Sequence, residues 1–176
     1  METCMMLSTG STNSIEDVAQ ASGSGLRWFQ LNAVKDGDET RSFVSRAERA
    51  GYKALVVTVD RPTGGRQIAN ARNRFNVPPH LSLANFHDTR HQSAGLEKSS
   101  EVFQSITGLF DPSLTWECID WLRGITKLPI ILKGILTAED AEEAVRHSVQ
   151  GIIVSNHGGR QLDGVLASVS SSVCMI

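Results

Sequence analysis

Gly151-Ile152-Ile153-Val154-Ser155-Asn156-His157-Gly158-Gly159 is an apolar, β-branched run that stops abruptly in polar and glycine residues. Four other stretches repeat the design: Met5-Met6-Leu7 closing in Ser8-Thr9-Gly10, Leu26 to Leu31 carrying Gln30, Ala54 to Val59 closing in Asp60, and Pro129 to Leu132 closing in Lys133-Gly134. Runs without polar alternation suit strands covered on both faces, as in a parallel sheet. Amphipathic segments lie between them. Ser14 to Ala21 opens on Ser14 as cap with Asp17 three residues on, and Asp38 to Ala50 is stopped by Gly51. Leu114 to Ile125 takes Ser113 as cap and carries Trp116 and Trp121, which with Trp28 read as packing residues. Thr137 to His147 opens on Thr137, places Glu139 and Asp140 at its positive end, and closes on Arg146 and His147. Strand and helix alternate, so the chain is expected to be α/β with a parallel sheet of five strands.

The polar strand ends Ser8, Gln30, Thr58, Lys133 and Ser155 are separated by 22, 28, 75 and 22 residues. Three of these intervals approximate one βα unit. The long one holds an insertion, residues 61–111, which is polar and contains Pro78-Pro79 with His80, His87 and His91. A long inserted loop is commonly functional, and this one is expected to be a mobile loop over a site. His87 and His91 are four residues apart, but the sequence offers no third ligand, so no metal is expected. An eight-stranded barrel typically takes about 250 residues. Five units in 176 residues fit either a smaller open sheet or a piece of a barrel, and spacing does not choose between them. The ending Ala167 to Ile176 is serine-rich and lacks the charge pattern of the earlier helices.

Composition narrows the function classes. The chain is 40% hydrophobic and 20% charged, with Lys+Arg 17 against Asp+Glu 19, a net charge of −2. That balance gives no electrostatic basis for a nucleic-acid or anionic-membrane partner. No apolar stretch approaches the roughly 20 residues of a membrane span. Cys4, Cys118 and Cys174 are odd in number and widely spaced, which argues against a disulfide framework and for a reducing, cytoplasmic-type compartment.

Ligands of parallel α/β folds bind at the carboxyl ends of the strands. Here those ends carry Ser8, Gln30, Thr58, Asp60, Lys133, Ser155, Asn156, His157 and Arg160. An imidazole at His157 can take a proton near neutral pH, and Arg160 can grip a carboxylate through two parallel hydrogen bonds. Asp60 can hold an imidazolium, and Lys133 can stabilise negative charge. Gln30, Thr58 and Ser8 can address the polar edge of a heteroaromatic ring. Each residue also has a structural reading: His157 as a satisfied strand-end histidine, Asp60 as a turn former before Arg61-Pro62, Lys133-Gly134 as a solvated strand exit.

Five motifs in order, Leu7-Ser8-Thr9, Trp28 to Leu31, Leu55 to Asp60, Leu128 to Gly134 (LPIILKG) and Gly151 to Asp163 (GIIVSNHGGRQLD), resemble the FMN-dependent 2-hydroxy-acid oxidases, the family of glycolate oxidase and the long-chain hydroxy-acid oxidases. The resemblance runs from about Leu7 to Ala167. It implies a (β/α)8 TIM barrel of which about five of eight units are present, with flavin mononucleotide (FMN) across the strand ends. It also implies His157 as base, supported by Asp60, with Arg160 on the substrate carboxylate and Lys133 stabilising reduced flavin. Ser8, Gln30, Thr58 and Ser155 would lie near the flavin. The implied reaction oxidises an (S)-2-hydroxy acid to a 2-oxo acid and passes the electrons to oxygen, giving hydrogen peroxide. The implied location is peroxisomal, although Cys174-Met175-Ile176 is not a Ser-Lys-Leu address. Oligomers of whole barrels are common in the family.

The chain departs from the family pattern in places. Asn32 stands where the family has a substrate-contacting tyrosine, and Gln67 where it has a substrate-holding arginine, with Arg66 adjacent. The family's first strand and its phosphate-binding turns have no counterpart. The expected organisation is a partial domain over residues 1–167 followed by a divergent tail, 168–176. The alternative to an active oxidase is a catalytically inactive truncated form or fragment of one.

Overall fold

In the computed structural model, residues 3–173 are described except 66, 67, 74, 76, 79 and 87–107. Gln67, His87, His91 and Cys174 therefore lie outside the described residues. Five parallel strands, β1 (Met5–Ser8), β2 (Arg27–Leu31), β3 (Leu55–Thr58), β4 (Ile130–Ile135) and β5 (Gly151–Val154), stand in the order of the sequence. Between and after them run helices α1 (Ile15–Ser22), α2 (Gly37–Arg49), α3 (Ile68–Arg72), α4 (Trp116–Ile125), α5 (Ala138–Arg146) and α6 (Ser168–Val173), with a 3-10 turn at Ala84–Phe86.

Strand side chains alternate between faces, and here the alternation separates core from chemistry. Leu7, Phe29, Leu55 and Ile130 are register partners across four strands and all belong to the core, as do Leu31, Val57 and Leu132. The helices cover that face with Ile15, Phe43, Val44, Ala47, Ile119, Leu122 and Ala144. Ser8, Gln30, Thr58 and Lys133 fall on the opposite face. The expectation of strands buried on both faces holds for β3, which is buried throughout. It does not hold for β1 and β5, which carry exposed residues because each has a neighbour on one side only.

The helix starts follow their caps. Ser14 Oγ accepts the Asp17 N–H, Asp36 Oδ1 accepts those of Asp38 and Glu39, and Thr137 Oγ1 accepts that of Asp140. Gly51, at φ +79°, takes the chain out of α2 in the left-handed turn that a glycine permits. Ser113 does not cap α4. The cap position is Thr115, whose side chain makes no capping bond, while the Ser113 N–H and O–H both donate to Asp111 Oδ1. Trp116 packs on the core as expected, but Trp121 is 38% exposed and lies under the Arg41 guanidinium.

Two segments read as irregular carry structure. Within the insertion, Leu83, Ala84, Asn85 and Phe86 are buried. Asn85 Oδ1 accepts the Ile15 N–H at 3.0 Å and its Nδ2 donates to Thr9 O at 3.1 Å, while Arg46 donates to Asn85 O. This part of the insertion is thereby sewn into the body. The serine-rich ending forms α6, with Ser171 buried and Ser172 Oγ donating to Ser168 O. Ser172 thus bonds back into its own helix, while Ser168 Oγ accepts the Asn156 N–H.

Strand β4 continues through Lys133-Gly134 to Ile135, with a register shift against β5 between Lys133 and Ile135. Gly134 sits at φ +115°, and a Cβ there would overlap Cβ and Cγ of Asp60. The Gly134→Ala variant combines overpacking with a strained backbone and is expected to lose about 2 kcal/mol or more, read from urea unfolding midpoints.

His147, at the C-terminal end of α5, joins that helix to α4: its Nδ1 lies 3.0 Å from Asp120 and its ring stacks on Trp116 at 5.1 Å. The Asp120 carboxylate, with Glu143 at 3.3 Å, raises the His147 pKa above its ordinary value. A raised folded-state value means the brace acts fully below the unfolded pKa of about 6.5 and is lost as pH climbs through the folded value. The melting temperature of wild type should therefore exceed that of His147→Gln by more at pH 5.5 than at pH 8.5.

Candidate active site

Strand β3 ends at Thr58, and the next N–H, that of Val59, still donates to Lys133 O at 2.9 Å. Asp60 is thus carried onto the rim by an extension of the ladder, with its side chain 9% exposed. It reaches over Gly134 to the turn after β5, where its Oδ1 lies 2.7 Å from His157 Nδ1. A carboxylate only accepts, so Nδ1 carries a proton, and in the neutral imidazole Nε2 is then the acceptor. The other oxygen, Oδ2, is buried without a hydrogen bond and faces Lys133 Nζ at 3.6 Å. Histidine, carboxylate and ammonium from β5, β3 and β4 meet within two contacts.

The turn holding His157 is bent to present it. His157 itself has φ +59°, and Gly158 and Gly159 follow at +67° and +66°. A left-handed conformation costs a residue with a Cβ roughly 1–2 kcal/mol, so the histidine is held there by its partners. Its N–H donates to Ser155 Oγ at 3.1 Å, and Gly159 N–H closes the turn on Asn156 O at 3.1 Å. Asn156 N–H is in turn satisfied by Ser168 Oγ of α6 at 3.2 Å. Arg160 follows, exposed to solvent.

Three further residues form a row with Lys133 across adjacent strands. Ser8 pairs with Gln30 and Thr58 with Lys133, and Gln30 Nε2 donates to Thr58 Oγ1 at 2.6 Å. The row runs from neutral hydrogen-bonding groups to a cation. Ser155 stands apart from it: its hydroxyl is spent on the His157 turn. Asn32 is buried, with its backbone N–H held by Thr9 Oγ1, and lines a small cavity with Thr58, Arg61 and Phe110.

Sequence reasoning missed three contributors. Gly134 was read as part of a strand exit, whereas it provides the gap that Asp60 occupies. Thr9 fastens β1 to β2, donating to Gln30 O at 2.7 Å while accepting from Asn32. Arg61, taken as half of a turn, is half-buried over the Phe110 ring at 5.1 Å. Burial first, and then the Arg160 charge, hold its guanidinium below the ordinary arginine range, with Asp60 opposing. Only the spacing of Arg61 directly after Asp60 could have drawn attention to it.

A site of this kind combines an oriented proton acceptor, fixed cations and a polar strip at the mouth of a parallel sheet. Among the described residues there is no group of three metal-ligating side chains, and no helix long and apolar enough to cross a membrane. Residues 1–172 match the model of a family described as FMN-dependent dehydrogenase. The chain is 50% identical to 2-Hydroxyacid oxidase 1 of Mus musculus over 172 residues, 96% of this chain and 46% of that protein. It is 47% identical to Glycolate oxidase of Spinacia oleracea, covering 95% of this chain and 45% of that one. A crystal structure of mandelate oxidase with (S)-2-phenylpropionate superposes with a TM-score of 0.81 at 37% identity, covering 98% of this chain and 44% of that one. A lactate oxidase structure from Pediococcus acidilactici gives 0.83 at 34% identity, over the same shares of the two chains. The chain spans about half the length of the curated relatives it matches, and its five parallel βα units are part of a (β/α)8 barrel. The match runs through residue 172, into α6. By sequence and by fold, this chain belongs to the FMN-dependent dehydrogenase family.

Proposed function

We propose that this chain carries the acid-oxidising site of an FMN-dependent 2-hydroxy-acid oxidase, converting an (S)-2-hydroxy acid to a 2-oxo acid with oxygen reduced to hydrogen peroxide. The observation that supports it best is the Asp60–His157 contact at 2.7 Å, which fixes one tautomer of a histidine on the rim. Nothing in a purely structural turn requires a left-handed histidine to be bound by a carboxylate buried on another strand.

The residues divide the work. Arg160 binds the acid's carboxylate, for which a planar guanidinium supplies paired donors. His157 Nε2 takes a proton from the hydroxy acid. Asp60 holds the ring and stabilises the imidazolium that results. Lys133, 3.6 Å from Asp60 Oδ2, keeps a cation where negative charge develops and keeps Asp60 from facing the histidine as an isolated buried charge. Asn32 and Gln67 occupy the positions assigned to substrate contact. Oxidation of the alcohol releases two electrons and two protons, and no side chain here can take an electron pair; bound FMN supplies that acceptor. The row Ser8, Gln30, Thr58 and Lys133 fits it, because a flat heteroaromatic ring with a polar edge needs neutral hydrogen-bonding groups and one cation in a line. Ser155 serves the site by bracing the His157 turn. A peroxisomal setting belongs to the same reading.

His157→Ala is expected to lower turnover of glycolate or a longer 2-hydroxy acid by about 10²–10⁴-fold, the usual contribution of a general base, while flavin absorbance of the purified protein is retained. Peroxide release measures the first and the visible spectrum the second. Arg160→Lys keeps the charge and loses the fork, so KM for the acid should rise about tenfold at unchanged flavin content.

A further inference from the structure

We infer that Ser168, the first residue of α6, is a positioning residue of this site: its hydroxyl holds the backbone from which His157 is presented to Asp60. That role rests on the functional reading above and deepens it, adding a residue outside the rim that acts through the base.

The turn after β5 has few outside attachments. The N–H groups of Asn156 and His157 are both bound, that of His157 by Ser155 Oγ at 3.1 Å within the turn and that of Asn156 by Ser168 Oγ at 3.2 Å from another element. Gly159 N–H is shared between Asn156 O at 3.1 Å and Asn156 Oδ1 at 3.3 Å, again within the turn. Among the described residues, Ser168 is therefore the one acceptor outside residues 155–159 that holds a backbone N–H of this turn. Asn156 adds a strap in the same direction, its Nδ2 donating to Leu166 O at 3.5 Å. The His157 ring is held separately, by Asp60 at 2.7 Å. One outside point on the ring and one on the backbone fix the imidazole's orientation. With either removed, the turn can pivot about the other.

Helix α6 is anchored well enough to act as that second point. It packs against β5, the strand that leads into the turn, with Ser171 buried and Ser172 Oγ donating to Ser168 O at 2.9 Å. A serine near a helix start commonly serves that helix's own free N–H groups. Ser168 instead accepts an N–H from a residue 12 positions earlier. The turn needs such a hold, because His157 stands at φ +59°, a conformation disfavoured for any residue with a Cβ. A base works only when its acceptor nitrogen is held within about 0.5 Å of the productive position, and a backbone shift at Asn156 is carried directly to the ring beside it.

The test follows the Nδ1 proton of His157 by proton NMR of the ¹⁵N-labelled 176-residue chain. A proton held by a carboxylate resonates at low field and exchanges slowly with water, and its absence in His157→Ala identifies it. In Ser168→Ala this proton should exchange with water at least about tenfold faster, while the His147 proton on Asp120 and the melting temperature stay as in wild type. Ser168→Thr, which keeps the hydroxyl, should restore wild-type exchange. Peroxide release by Ser168→Ala should show kcat lowered about tenfold at unchanged flavin content. Equal exchange in wild type and Ser168→Ala, or no low-field His157 proton in wild type, overturns the proposal. If Ser168→Ala fails to fold, Ser168→Thr and Ser168→Val, alike in shape, decide: equal exchange in both overturns it. Peroxide release by wild type with kcat unchanged in Ser168→Ala overturns the positioning role and leaves the oxidase reading intact. A chain that takes up no FMN yet loses the protected proton in Ser168→Ala sinks the oxidase reading and leaves the hold on His157 standing.

Discussion

Asp60 crosses from the end of β3 to the turn after β5, a separation of 97 residues, and the crossing is possible only because Gly134 on the intervening strand has no side chain. The geometry of the rim depends on this one contact. Without it, His157 at φ +59° keeps only the backbone contacts of its own turn, and Lys133 loses the buried oxygen it faces at 3.6 Å. The bulge in β4 at Gly134 is therefore part of the site, although it carries no functional group. Bulges commonly appear where a strand must re-aim or make room beside chemistry.

The sheet makes the site by separating labour between its faces. Alternation sends Phe29, Leu31, Leu55, Val57, Ile130 and Leu132 to the helices and leaves Gln30, Thr58 and Lys133 on the other side, where Thr58 and Lys133 are register partners and Gln30, partnered with Val56, reaches Thr58 through its side chain. The burial that stabilises the fold thus fixes where the polar row stands. Helices α1 and α2 tighten the arrangement through Tyr52, whose hydroxyl donates to Ile15 O and whose ring meets Phe29 edge-on. Displacing Phe29 would therefore move Gln30, its immediate neighbour.

What could be read in the chain follows from how local each signal is. Strands such as Ala54 to Asp60 and caps such as Ser14 and Thr137 announce themselves because run length and cap chemistry act within a few residues. His157, Asp60 and Lys133 were legible as candidates because strand ends are where such folds bind ligands, and the structure brings those three together. Ser113 misled because Asp111, two residues earlier, captured both its donors. The burial of Asn85 was invisible, since it depends on Ile15 and Thr9, about 70 residues away. The same holds for Arg61, whose platform Phe110 is 49 positions further along the chain.

Charge at the rim is the remaining constraint. The charges of Arg61 and Arg160 oppose one another, Lys133 faces Asp60, and the Asp60 carboxylate is already committed to the histidine. Such an excess is unfavourable in the resting protein, because like charges near a low-dielectric wall repel more strongly than in water. Proteins keep arrangements of this kind where a bound anion completes them, and in the function proposed above the carboxylate of a 2-hydroxy acid is that anion. On this reading the repulsion selects for the substrate: a neutral alcohol relieves none of it, so acid and alcohol are separated by electrostatics before any proton moves.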